Sequence, residues 1–181
     1  MLLIHVPGSE KFDESKNEFI YTNDTTIQLE HSLVSLSKWE SKWHKPFYHP
    51  TNKKTNEEVL DYVRCMTLTK NVKPETYLAL TNENVDQIQE YINDPMTATT
   101  FSAEQQTTHN REIITAELIY YWMISYNIPV EFEKWHLNKL LALIKVCSIK
   151  NSKPKKMTKR QIMNQNAALN AARRQKLKSK G

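Results

Sequence analysis

Glycine is nearly missing: the 181-residue chain holds two, Gly8 and Gly181. Loops that cradle phosphates need glycine where the backbone approaches a ligand closely, so neither G-x-G-x-x-G nor G-x-x-x-x-G-K-[ST] is present. The classical nucleotide-binding folds thereby lose their signature. Cysteine is equally scarce. Cys65 and Cys147 stand far apart within apolar stretches, which reads as buried thiols in a reducing compartment rather than a disulfide framework. No apolar run approaches the ~20 residues that cross a bilayer, and the amino terminus lacks the charged and apolar regions of a secretory signal. The expectation is a soluble protein with no membrane partner. At this length folding buries roughly 70% of the surface an unfolded chain exposes, so a genuine core is expected.

Acidic residues are missing from the last quarter. Residues 1–133 carry all 20 acidic side chains against 11 basic ones, a balance of −9, whereas residues 134–181 carry 14 basic and no acidic ones. From Lys150 onward the large apolar groups are too few to build a core, so residues 1–149 are expected to form the globular domain and 150–181 a basic extension. Self-repulsion in such a segment favours a partner of opposite sign. Three are open: the acidic body, a neighbouring copy, or non-specific nucleic acid.

What is present is helical pattern, after a β-like start. Leu2 to Val6, Glu18 to Thr22 and Thr25 to Leu33 read as strands of a small antiparallel sheet, with Pro7-Gly8 through Lys16 as a connecting loop and Asn23-Asp24 as a turn. Ser35 to His44 reads as a helix with Leu36, Trp39 and Trp43 on one face and Ser37 with Glu40 as a capping box. Thr55 with Glu58 opens a second helix, whose Val59, Leu60, Val63 and Met66 form the expected buried stripe. A short helical turn after Pro74 and a helix from Asn82 to Ile92, with Val85, Ile88 and Ile92 inward, follow. Thr97 to His109 is a polar, threonine-rich loop. Asn110 to Tyr126 and Glu131 to Ser148 are apolar over more than one stripe and are separated only by Asn127-Ile128-Pro129, which predicts an antiparallel helical hairpin at the centre of a bundle. After the basic linker Asn151 to Lys156, Thr158 with Gln161 caps a final alanine-rich helix with almost no apolar face.

No local constellation of ionisable or nucleophilic groups marks a catalytic site. His44 and His49, with His136 or Cys65, lack the matched second pair of a zinc site; His136 beside Trp135 reads as a satisfied core imidazole. Glu57, Glu58 and Asp61 read as charges complementing a helix start. The candidate contact residues are Trp39 and Trp43, four apart on one face with Lys38, Lys42 and Lys45 interleaved, and the tail residues Lys155, Lys156, Arg160, Arg173 and Arg174. For the tryptophans, core packing and an exposed anchor are both open, core packing being favoured because Leu36 continues the face. The tail lacks aromatic platforms for single-stranded nucleic acid.

Several segments carry a resemblance: His31 to Phe47 (HSLVSLSKWESKWHKPF), Asp61 to Thr67 (DYVRCMT), Asn110 to Met123 (NREIITAELIYYWM), Trp135 to Leu140 (WHLNKL) and Asn166 to Arg174 (NAALNAARR). Together they resemble a family of long-tailed bacteriophage proteins, the siphophage tail assembly chaperones. The resemblance implies a non-enzymatic protein without cofactor or metal, working in the host bacterial cytoplasm. It would coat the tape-measure protein, keep its apolar helical stretches from aggregating, and deliver it for assembly of the tail tube, with the tail-tube protein as a further partner and homo-oligomers compatible. A connector or tail-completion protein of the virion, and a nucleic-acid-binding protein acting through the basic tail, are the alternatives. The expected architecture is α+β: a mainly helical bundle, a small N-terminal antiparallel sheet and a basic C-terminal helical extension.

Overall fold

A computed structural model of the chain describes residues 1–13, 17–49, 51, 53–101, 112–152 and 159–177. It is an α+β, mainly helical protein that divides into two compact units, Met1–Ser148 and Ile149–Gly181.

The first unit opens with four strands, β1 (Leu2–Val6), β2 (Ser9–Asp13), β3 (Glu18–Thr22) and β4 (Thr25–Leu29). β1 pairs antiparallel with β4 from Leu2↔Leu29 to Val6↔Thr25, and β2 with β3 from Ser9↔Thr22 to Asp13↔Glu18. The offset is the same in both ladders, so they are two halves of one folded-back ribbon. It is interrupted at Pro7-Gly8, where proline has no N–H to give. Opposite the interruption, the Gly8 N–H donates to Asp24 Oδ1 at 2.6 Å. A Cβ at Gly8 would lie 2.9 Å from the Thr22 carbonyl oxygen, so the close crossing needs glycine here. Ser9–Asp13 is therefore a strand and not the expected loop; its weak alternation is completed by cross-strand pairing, with Phe12 directly opposite Phe19 at a ring separation of 5.0 Å. Asn23-Asp24 correspondingly joins two strands that do not pair with each other.

β4 ends at Leu29, but the backbone stays extended to Ser32 because other elements continue the ladder. Glu30 N–H donates to the Met66 carbonyl at 2.9 Å, Leu68 N–H to the Gln28 carbonyl at 2.8 Å and Leu137 N–H to the His31 carbonyl at 2.7 Å. Helix α1 (Leu33–Trp43) follows directly. Its cap is Ser32, whose hydroxyl accepts from Ser35 N–H while the Ser35 hydroxyl accepts from Ser32 N–H. The expected box at Ser37 and Glu40 does not form, since the reciprocal serine pair starts the helix earlier.

Helix α2 (Asn56–Met66) opens on the expected Thr55–Glu58 box. It turns Glu58, Asp61, Tyr62, Val63 and Met66 inward and leaves Val59 exposed. The short α3 (Pro74–Leu78) and α4 (Asn82–Asn93) follow; Ile88 and Tyr91 are buried, Ile92 is half-buried, and Val85 is exposed. Helix α5 (Ala116–Ser125) starts later than the sequence suggested. Ile113-Ile114-Thr115 is a β-branched run, and the Thr115 hydroxyl accepts from Leu118 N–H as the N-cap. The second expected helix is broken in two: Val130–Lys134 is a 3-10 turn, Trp135 is extended, and α6 runs Leu137–Asn151. The break is a tertiary effect, because His136 forms a β-bridge with Ser32.

The core gathers Ile4, Val6, Ile27 and Leu29 from the ribbon, with Leu33, Leu36 and Trp39 of α1 against them. Met66 of α2, Ile119 of α5, and Leu137 and Leu140 of α6 are equally closed to solvent. In the second unit, α7 (Lys159–Leu177) is a 19-residue helix. Its expected cap residue Thr158 lies outside the described residues, as do residues 102–109 of the threonine-rich region. Among the described residues no helix is long and apolar enough to cross a membrane.

Candidate functional site

The tryptophan pair organises the packing of α1 on α2. Trp39 is wholly buried, and its Nε1–H donates to the Glu58 carbonyl oxygen at 2.9 Å. It offers no surface to a partner, so for Trp39 the favoured reading, core packing, holds and the exposed anchor does not. Trp43 is half-buried, and its Nε1–H donates to Asp61 Oδ2 at 2.9 Å. Lys42 pairs with Asp61 and Lys45 with Glu58, the latter at 2.6 Å. Glu58 and Asp61 thus do more than complement a helix start. They are buried carboxylates held by lysines whose heads reach in from the solvent side, and Lys45 is the first cause of the lowered Glu58 pKa.

Glu40 was hidden by its assignment to a cap. It sits one turn beyond Leu36 on the buried face of α1, accepting from Phe47 N–H through Oε1 and from Ala116 N–H through Oε2, both at 2.7 Å. One carboxylate therefore closes the turn after α1 and faces the positive end of α5. The only signal for it in the sequence is an acidic residue on the stripe of Leu33 and Leu36. A cleft of about 480 Å³ beside it is lined by Ser41, His44, Lys45, Pro46, Thr115 and Glu117 as well as Glu40.

A second buried polar group lies where the extended segment before α1 meets α6. His31 is closed to solvent, its Nδ1 2.6 Å from the Tyr62 hydroxyl and its Nε2 3.5 Å from that of Tyr48. The His136 ring stands edge-on to it at 5.1 Å. His136 Nε2–H donates to the Tyr91 carbonyl at 3.1 Å, but its buried Nδ1 has no partner, so this imidazole is only half satisfied. Burial pushes His31 down to about 3, reinforced by His136, and burial also lowers His136. Both are neutral at physiological pH. Among the described residues no cluster of three or more histidine, cysteine or acidic groups is placed to hold a metal. Cys65 and Cys147 are free and half-buried rather than fully enclosed.

The surfaces that offer apolar contact lie elsewhere. Helix α5 buries Ala116, Ile119 and Met123 but leaves Tyr121 63% and Ile124 76% exposed, and Ile113 and Val130 just beyond its two ends are exposed as well. Its apolar character thus exceeds what the core takes up, contrary to its expected place at the centre of a bundle. A groove of about 360 Å³ runs between α6 and the segment leaving α4, lined by Pro95, Thr97, Phe101, Leu141, Ala142 and Lys145 among others. The start of the threonine-rich region forms one wall of it. Of the tail residues singled out from the sequence, Arg160, Arg173 and Arg174 are exposed on α7, whereas Lys155 and Lys156 lie outside the described residues.

Compared with known proteins, the chain matches no family model, no curated protein and no solved structure.

Proposed function

We propose that this chain is a holding protein for an apolar helical polypeptide and acts without a catalytic step. More particularly, the residue pattern from His31 to Arg174 supports a tail assembly chaperone of a long-tailed phage, which binds the tape-measure protein in the host bacterial cytoplasm and passes it on to tail-tube assembly. The observation that carries the reading is the uncovered face of α5, where Tyr121 and Ile124 lie one turn apart in solvent. Large apolar side chains side by side on a surface mark a place that another apolar element covers. An amphipathic client helix docks on such a face through residues at helical spacing, and modest affinity per copy suffices when many copies line one long client.

The test is co-expression with the tape-measure polypeptide. The client is expected in the soluble fraction only when this chain is present, and the double variant Tyr121→Glu with Ile124→Glu is expected to return it to the pellet while keeping the melting temperature of the free protein. A client that is soluble by itself, or one rescued equally well by the double variant, defeats the proposal.

A further inference from the structure

We infer that α7 of one copy docks on the acidic face of α4 in a second copy, so that the chain associates head to tail. This goes beyond the proposed function and rests on features of α4 and α7 alone. Every described side chain of α7 is exposed. Ile162 and Leu169 lie two turns apart on one side of it, with Met163 and Leu177 flanking the same arc, so a narrow apolar seam runs along a helix whose charges, from Lys159 and Arg160 to Arg173, Arg174 and Lys176, are all positive.

Helix α4 offers the complement. Glu83, Asp86 and Glu90 and the C-cap Asp94 recur at helical spacing on the side opposite buried Ile88. No lysine or arginine occurs between Lys73 and Arg111. Among the described residues none of these four carboxylates is paired with a basic side chain. Beside them a groove of about 210 Å³ is lined by Leu2, Gln87, Glu90, Tyr91 and Asp94, giving the apolar seam a place to settle. Opposed charges along both helices would fix register and speed encounter, while the seam adds buried apolar area.

Opposed charge along the two exposed helices, together with the open apolar seam, selects a second copy of this chain as the occupant of the α4 face. Because the donor and acceptor faces differ, copies joined in succession build rows or rings, and two copies that exchange arms close as a pair.

Sedimentation of the full chain over a concentration series tests this. The wild type is expected to self-associate at low salt and to dissociate as salt rises. Two charge-reversed variants, Glu83→Lys/Asp86→Lys/Glu90→Lys and Arg173→Glu/Arg174→Glu/Lys176→Glu, are each expected to associate at least about tenfold more weakly. Mixing the two restores association, because each then carries one face complementary to the other. All six positions are exposed, and unchanged circular dichroism melts show that the fold survives. A wild type that stays monomeric overturns the inference. So does an α4 variant that associates like the wild type, or a mixture that is not rescued. If the chain is monomeric and only its DNA affinity falls with the α7 variant, the arm belongs to nucleic acid instead.

Discussion

At the scale of single residues, the buried polar groups decide more than the apolar ones. Glu40 satisfies two buried N–H groups at once. Glu40→Ala orphans both and is expected to cost about 2–4 kcal/mol in urea unfolding, whereas Glu40→Gln keeps one acceptor and is expected to cost distinctly less. If alanine and glutamine are equivalent, the carboxylate is not closing these turns. Trp39→Ala empties a fully buried site and removes the bond to Glu58, for an expected loss of about 3–5 kcal/mol. The His31 site sets a pH dependence whose sign follows from its lowered pKa. Above about pH 6.5 neither the folded nor the unfolded state protonates the ring, so full stability is present. As the pH falls, the unfolded chain takes up a proton that the folded chain refuses until about 3, and stability declines across that window. Each pH unit removes on the order of 1 kcal/mol. Between pH 7 and 5 carboxylates contribute little, so unfolding free energies in that interval should slope downward for the wild type and more gently for His31→Gln. A flat wild-type profile would mean that the imidazole is solvated when folded. Tyr62, Tyr48 and His136 face the ring, and only His136 shares the window.

At the scale of elements, what the sequence could reveal was whatever is specified locally. The Thr55 cap, the proline that starts α3 and the spacing of α4 each lie within one turn of the residues they control, and each element forms where the pattern puts it. The β2 strand was illegible because its partner is supplied by chain folding back from beyond residue 17. The break at Trp135-His136 was illegible for a related reason, since apolar periodicity runs straight through it and only the bridge to Ser32 pulls the backbone out of helix. Glu58 and Asp61 look like surface charges when read one helix at a time; only the approach of α1 to α2 buries them and sets them against the exposed Lys45 and Lys42. The apolar excess of α5 was visible in the sequence, but which part of it stays outside depends on the partners it meets. The serine cap of α1 can be checked at this scale. Ser32→Ala removes the acceptor for Ser35 N–H and is expected to destabilise the fold by about 1 kcal/mol, with the loss seen first in amide exchange at the start of α1. Ser37→Ala should leave both quantities unchanged.

At the scale of the whole molecule, charge and packing are divided along the chain. Among the described residues the buried apolar core lies between Ile4 and Ile144, within the first compact unit, while the basic surplus lies beyond it. Ending the chain at Ser152 removes ten basic residues and no acidic ones, which turns the formal net charge from +5 into −5. The shortened protein is expected to melt within a few degrees of the full chain, because every described side chain of α7 is exposed, and to migrate toward the anode at pH 7 where the full chain migrates toward the cathode. Non-specific DNA binding at low salt should vanish with the arm, since counterion release scales with the cationic groups that meet phosphates. A large drop in melting temperature would mean that the arm supports the core. A salt-dependent DNA affinity that persists after truncation would place the cationic surface on the body, where 15 basic residues face 20 acidic ones.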